Sequence, residues 1–444
     1  MPAPAPAGIS YNSFSKEERV AFENLLEGFQ DALVMSRNVS IYNTDQTMME
    51  RTNNTIWRPQ PYISRSFEGT NQTDNFSAYT QLSVPSQIGF NRSVPWIMTA
   101  TELRDALQEQ RLGNAAKQKL ASDINLKVLE TASNLGSLVV KRDGPATGYD
   151  DVAQCEAIFN EQGIQFEDRY LALSTRDYNG MAANLASRQT LAGKALTGYE
   201  KSRIGEVASF NTYKLDYAQR LTAAAGSTNL TVNTVWNGGN MYVPSAVAES
   251  PTTSQRLNVD NRFQTITVGT SITTDVKVGD CFQIVGVYAV HHITKQNTGQ
   301  LKTFRVTERV SDTQLQITPP IIGAPSHGTS PVVLAPDAAL EYKNCEVTDP
   351  SATASIVWLN TRDAAVNCFW HKDAIEILPG RYAVPSDAGV NVIRASTDQG
   401  IELVMQKFYD INTMKIKYRL DTIFGVVNKQ PEMSGIILFN QQQP

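Results

Sequence analysis

Apolar residues recur at three- and four-residue steps in four stretches of the chain and at alternating positions in many shorter ones, which predicts a mixture of helices and strands. In the first stretch Val20, Phe22, Leu25, Leu26, Phe29 and Leu33 form one stripe behind a capping box from Ser15 to Glu18. That stripe needs a partner, either on its own domain or on a neighbouring chain. A second capping box, Thr99 to Glu102, opens the longest pattern, which runs to about Leu135 and ends at Gly136. Leu112, Ala116, Leu120, Ile124 and Val128 make a four-residue ladder along it. At about 1.5 Å per residue the predicted helix is on the order of 50 Å long. Gly113 is its only interruption and costs about 1 kcal/mol relative to alanine without breaking it. Further on, Asp150 to Gln162 reads as a helix closed by Gly163, Tyr170 to Leu173 as a short buried strand, and Ser174 to Asp177 as the cap of a helix carrying Tyr178, Met181 and Leu185.

Between Thr52 and Ser93 the pattern fails. Asn, Thr, Ser, Gln and Tyr dominate, with isolated apolar residues and prolines at 59, 61 and 85, so the segment cannot build a core of its own. An extended two-stranded excursion or a partner-binding arm fits such a stretch. From Ala223 to about Tyr342 the composition shifts to Val, Thr, Ile and Gly in short alternating runs. Phe263–Val268, Cys281–Val290, Thr303–Val310 and Thr313–Thr318 read as strands of a sandwich or small barrel. Helical and mixed signals return around Trp358 to Ala365, the pattern expected of an inserted all-β unit. The last strands are predicted at Ile401–Met405, Met414–Ile423 and Ile436–Phe439, around a turn at Gln430 and Pro431.

Composition narrows the function classes. The 444 residues are 41% apolar and 19% charged, a globular composition long enough for more than one domain. Basic and acidic residues number 39 and 44, a formal charge of −5, which argues against a chain whose main task is neutralising nucleic-acid phosphate. Cys155, Cys281, Cys345 and Cys368 are widely spaced with no CxxC pair, so free thiols are expected. The opening MPAPAPAG lacks a charged start and an apolar signal core, and no run approaches a membrane span, so neither secretion nor a membrane partner is expected.

Catalytic signatures are missing. There is no GxSxG elbow, no GxxxxGK[ST] loop and no HExxH. His291 and His292 are adjacent on a predicted strand, where they would face opposite sides and make poor joint ligands. Asp150 and Asp151 are explained by a helix start, and His371 by the edge of a packed aromatic at Trp370. No catalytic, metal or cofactor site is expected.

Five patches, in order, carry a resemblance to the major capsid (coat) proteins of short-tailed, double-stranded DNA bacteriophages, in the branch with a β-barrel domain inserted in the capsid fold. They are Thr52–Pro59 (TNNTIWRP), Asp123–Val140 (DINLKVLETASNLGSLVV), Asn258–Thr267 (NVDNRFQTIT), Asn367–Leu378 (NCFWHKDAIEIL) and Arg419–Glu432 with its Phe424-Gly425 and Pro431-Glu432. The resemblance implies an α+β tailed-phage capsid fold with a long spine helix, an extended loop, peripheral and axial domains, and the inserted barrel. It divides the chain into an N-terminal arm (1–48), the extended loop (49–93), the spine helix of the peripheral domain (94–142), a first axial part (143–222), the inserted barrel (223–345) and the remaining axial and peripheral strands (346–444).

The same resemblance implies partners. One chain would build pentamers and hexamers of a closed shell with a scaffolding protein and a portal protein. Double-stranded DNA would be packaged without sequence-specific binding, in a virion assembled in the bacterial cytoplasm. Inter-subunit contacts are expected in the extended loop at Trp57, Arg58, Tyr62 and Phe67. They are also expected in the loop from about Trp236 to Leu257, where Glu249 and Arg256 are the only charges. Two rivals stand beside this reading. A β-rich binding or adhesin-like module leaves the long helix unexplained, and an enzyme of unrecognised type lacks a candidate site.

Overall fold

Helices form at the four places where the periodicity predicts them: α1 (Lys16–Ala32), α2 (Ala106–Leu135), α3 (Tyr149–Gln162) and α4 (Thr175–Ser187), in a computed structural model of the chain. The structure describes residues 16–42, 55–61, 80–99, 106–187, 204–224, 230–232, 241–249, 253–269, 276–323, 341–348, 353–382 and 391–441, with positions 66, 68–73, 76 and 272 besides. Ser15 and the side chains of Leu112 and Leu185 lie outside the described part. The chain divides into two units.

Unit 1 comprises residues 1–56, 86–128 and 377–427. Its six-stranded sheet centres on Lys415–Asn428, which pairs antiparallel with Phe90–Thr99 on one side and Glu402–Asp410 on the other. Asn391–Ser396 extends the sheet beyond Glu402–Asp410, and Ile375–Pro379 with Ser40–Ile41 extends it the other way. Alternation along the central strand buries Tyr418 and Leu420, and Tyr418 stacks on Trp96 with centroids 5.5 Å apart. Thr99 closes a strand opposite Lys415, extended backbone that an N-cap also adopts; the described part of α2 begins at Ala106, and residues 100–105, where its capping box would act, lie outside the described residues.

Ala116, Leu120, Ile124 and Val128 of α2 are all buried in unit 1, as the ladder predicts. Of the α1 stripe, Phe22, Leu25, Phe29 and Leu33 are buried and Val20 is exposed. The stripe docks on its own chain. A Cβ on Gly113 would lie 3.4 Å from Leu25 Cδ1, at ordinary contact distance, so α1 packs against α2 at this glycine. The Met35 N–H donates to Asn125 Oδ1 at 3.2 Å just beyond the end of α1.

Unit 2 comprises residues 57–85, 129–376 and 428–444 and, among the described residues, holds two large sheets besides two-stranded pairs. The first is mixed, in the order Leu138–Lys141, Ser434–Leu438, Asn367–His371, Arg169–Ser174, Phe210–Leu215 and Glu206–Val207. Leu138–Lys141 runs parallel to Ser434–Leu438, and Arg169–Ser174 parallel to Phe210–Leu215. Its core joins Val152, Cys155 and Phe159 of α3 and Tyr178 and Met181 of α4 to Leu171, Phe210, Phe369 and Ile437. Gly435 sits so close to its parallel neighbour that a Cβ there would overlap the Leu138 carbonyl oxygen.

The second sheet runs Thr231–Val232, Ala354–Trp358, Cys281–Val290, Asn297–Ser311, Gln314–Thr318, Gln264–Thr267, with Cys345–Val347 also on Cys281–Val290. A bridge between Val232 and Val268, with Gly269 N–H donating to Thr231 O at 2.8 Å, joins the first strand to the last and closes it into a barrel. Val232, Ile266, Phe282, Ile284, Phe304, Leu315, Ile317 and Ile356 fill the interior. Gly286, at φ +86°, bends Cys281–Val290 where its register shifts. Two sequence readings need correction. The barrel continues past Cys345 to Trp358, and the expected helical signals around Trp358 to Ala365 are instead the end of that strand and a short strand, Ala364–Ala365, paired with Arg220–Leu221. The β-branched and aromatic run ASIVW satisfies its backbone in the barrel ladder.

Candidate assembly interface

Within the polar stretch at Thr52–Ser93, Thr55–Pro59 pairs with Ser83–Gln87 as a two-stranded sheet, and from Phe90 on the chain is already in the strand that pairs with Lys415–Asn428, so the extended loop ends before Ser93. Within unit 2 its base is held at several points. Gln60 N–H donates to Leu82 O at 2.9 Å, and Gln81 Nε2 donates to Gln60 O at 2.8 Å. The Arg58 guanidinium donates to both oxygens of the buried Glu376 carboxylate, at 2.8 and 3.4 Å, and Lys429 reaches the same carboxylate at 2.9 Å. Of the expected contact residues, Trp57 is half-buried, Arg58 is engaged within its own chain, and Tyr62 and Phe67 lie outside the described residues. Phe76, farther along the excursion, is 87% exposed.

Glu249 and Arg256, expected at an inter-subunit contact, are register partners within one chain. They face each other across a two-stranded hairpin, Val247–Glu249 with Arg256–Asn258, whose six residues are all exposed, Val247 and Leu257 among them. Cross-strand register puts opposite charges side by side next to apolar neighbours, a small polar and apolar platform. The sequence singled out the two charges; their register required the fold.

Beneath the barrel lies a buried polar seat that the sequence reading missed. Lys302 pairs with Glu432, Arg262 donates to Asn428 O at 2.8 Å, and Gln430 Nε2 lies 2.8 Å from His292 Nε2. Arg305, on the same strand as Lys302, donates to Gly279 O at 3.0 Å and to Gly136 O, just past the C-terminus of α2, at 3.2 Å. A cation there satisfies a leftover helix carbonyl and opposes the negative end of the helix dipole. Thr303 Oγ1 adds a bond to Ser137 O at 2.7 Å. Burial pushes His292 down to about 4 and Lys295 down to about 8, while Lys302 beside it holds the Glu432 carboxyl below its usual value despite burial. Arg169 makes a similar anchor under α3: fully buried, it donates to Asn160 Oδ1 at 2.9 Å, Ile164 O at 2.7 Å and Gln165 O at 2.7 Å.

Reactive chemistry does not assemble anywhere among the described residues. No group of three or more His, Cys, Asp or Glu is placed to hold a metal ion. The four cysteines are free and buried, and burial raises every thiol, Cys281 to about 11 and Cys345 and Cys368 to about 12. His291 and His292 sit in a turn, not on a strand; His291 Nδ1 accepts from the Ile293 and Thr294 N–H groups. Asp151 is more than a helix start: it accepts from Thr147 N–H at 2.7 Å and pairs with Arg142 at 2.6 Å. His371 is buried beside Trp370 and accepts from Asp373 N–H, as a structural polar residue would. No helix of the described residues is long and apolar enough to cross a membrane.

Solved structures similar to this chain include one from Mycobacterium phage Che8, at 8% identity over 91% of this chain and 90% of that one, TM-score 0.42. The mature capsid of bacteriophage PhiM1 matches at 9% identity over 100% and 92%, TM-score 0.39. The CUS-3 coat protein I-domain matches at 37% identity over 30% of this chain and 99% of that one, TM-score 0.20. The family model described as P22 coat protein, gene protein 5, matches residues 11–440, nearly the whole chain; the protein belongs to the P22 coat protein family and is a structural major capsid protein.

Proposed function

We propose that this coat protein closes its shell through two outward elements, the excursion between Pro59 and Ser83 and the Val247–Asn258 hairpin, each covering a neighbouring copy. Among the described residues the strand pair at the base of the excursion belongs to no larger sheet, and Phe76 beyond it is open; those two features together are the observation that carries the reading. An apolar residue on a segment without a core gains its burial, worth about 2 kcal/mol for a phenylalanine, only from a partner. Pentamers and hexamers formed with a scaffolding protein, a portal protein at one vertex and double-stranded DNA held without sequence readout complete the proposal. The net charge of −5 suits a container from which DNA must also leave. On this reading the barrel is a domain inserted between axial segments, and assembly takes place in the host cytoplasm.

Replacing residues 62–79 by a short Gly/Ser link tests it. Velocity sedimentation with negative-stain microscopy, scaffold co-expressed, should find a folded species that does not close shells. Shells of normal size and yield would overturn the arm assignment.

A further inference from the structure

Tyr342 lies between two barrel strands in sequence, yet its hydroxyl serves the excursion. It accepts from Leu82 N–H at 3.3 Å and donates to Thr80 O at 3.1 Å, capturing both a donor and an acceptor just before strand Ser83–Gln87. The ring is buried and packs with Leu82 and Ile322, against which Tyr242 also lies. Its own position is set by the barrel. Asn344 N–H and Cys345 N–H both donate to Ile322 O, Asn344 Nδ2 donates to Pro320 O at 2.9 Å, and Cys345 then pairs with Ala289 in the barrel ladder. The other leg of the excursion is fixed separately by Arg58 on Glu376. Gln60 N–H on Leu82 O ties the two legs together.

We propose that the barrel is the mount of the assembly arm, with Tyr342 as the positioning residue that sets the direction in which the arm leaves the body toward a second copy of this chain. The inference rests on the arm reading above. Two attachment points on two legs define an axis and an angle, where one would leave a swivel. The lever is long: the twenty or so residues between the legs can reach at most about 30 Å out and back, so a 10° error at the base displaces the tip by about 5 Å. That is more than a packed contact tolerates. The side chain chosen suits the task, because a tyrosine hydroxyl satisfies one N–H and one carbonyl at once while its ring stays in an apolar wall.

Tyr342→Phe removes the hydroxyl and keeps the ring. Each lost hydrogen bond is worth about a fivefold change in local opening, so hydrogen exchange at the Leu82 amide should rise by about fivefold or more in the full-length monomer. The threshold concentration for shell formation should rise with it, and the thermal midpoint should move little. Ile322→Ala, which thins the same wall without touching a hydrogen bond, is the control for lost packing. If Tyr342→Phe leaves Leu82 exchange and the shell threshold at wild-type values while deletion of 62–79 abolishes shells, the arm stands and the mount is overturned. A threshold shift from Ile322→Ala equal to that from Tyr342→Phe would also overturn it, by assigning the effect to packing alone. Normal shells from the deletion would instead overturn the arm reading beneath it.

Discussion

Inside the barrel, Phe282, Phe304, Leu315 and Ile356 pack side chains drawn from one continuous region of the chain; at its seat, Arg262, His292, Lys302 and Arg305 grip residues 428–432 and 136, far away in sequence. The interior is apolar and non-directional, so its stability scales with buried area and tolerates exchange of similar shapes. The seat is polar and directional, and each bond demands one placement of the barrel on the segment that follows Val427. The two regions therefore fail differently. Losing a methyl group in the interior costs stability in proportion; losing one partner at the seat leaves the other buried and unpaired.

The interior gives the largest expected effect. Phe304 is fully buried and stacks on Phe282 with centroids 5.7 Å apart. Phe304→Ala should cost about 3 to 5 kcal/mol, read as a lowered denaturant midpoint of the full chain. A loss under 1 kcal/mol would mean that the barrel collapses around the gap and is looser than its packing indicates. At the seat, Glu432→Ala strands a buried ammonium and should cost about 3 kcal/mol. Replacing both partners, Lys302→Met with Glu432→Leu, should recover most of that loss. If the double variant is as unstable as the single one, the pair contributes net stability and the contrast with the interior is weaker than drawn.

How legible each region was follows from the range of its interactions. The α2 ladder and the strand Cys281–Val290 were readable because periodicity is a local record of burial. The open ends of the barrel were not. Its closure depends on one bridge between Val232 and Val268, and neither residue differs from other strand valines. At Thr99 the strand end pairs with Lys415, distant in sequence, a contact that no local pattern records. The seat was silent for the same reason: Lys302 and Glu432 lie 130 positions apart, and each alone reads as an ordinary surface charge. For the assembly surfaces, Glu249 and Arg256 stood out as isolated charges, while the pairing of Arg58 with Glu376, 318 positions away, left no mark in the sequence. Sequence signals exposure or charge, and the fold alone pairs them.

Acid should separate the two regions further. His292 is held neutral, its value lowered to about 4 from an ordinary 6.5, so the unfolded chain binds the extra proton. Stability from this group is unaffected above pH 6.5, falls as pH drops from 6.5 to about 4, and is fully lost below. Glu432, lowered from its ordinary value by Lys302, contributes stability above about pH 4.5 that is lost as pH falls through its folded value. The signs agree, and among the described residues the apolar cluster inside the barrel carries no carboxylate or histidine, although Asp280, buried at the foot of strand Cys281–Val290, is raised by burial and works in the opposite sense. Hydrogen exchange at pH 7 and pH 5 should show residues 428–432 losing protection before the strands Phe282 and Phe304 lie on. Equal loss in both would remove the distinction, and His292→Gln should abolish the part of the effect above pH 4.5.

The smallest effect on the fold should come from the same kind of charge pair moved to the surface. Glu249 and Arg256 oppose each other in register as Lys302 and Glu432 oppose each other in space, but all six strand residues of their hairpin are exposed. Water and salt already screen both charges, so Glu249→Ala or Arg256→Ala should change monomer stability by less than about 0.5 kcal/mol, against about 3 kcal/mol for Glu432→Ala. Burial, not charge, sets that ratio. Assembly reverses the order if the hairpin covers a neighbour, because the pair is then desolvated between two chains. The single changes should slow shell closure, and the charge exchange Glu249→Arg with Arg256→Glu should restore it if the contact is made between identical hairpins, since each copy then presents the inverted pair to its inverted mate. Closure that stays slow in the exchanged variant points to a non-identical partner surface, and closure at the normal rate in all three would leave the hairpin with no part in assembly.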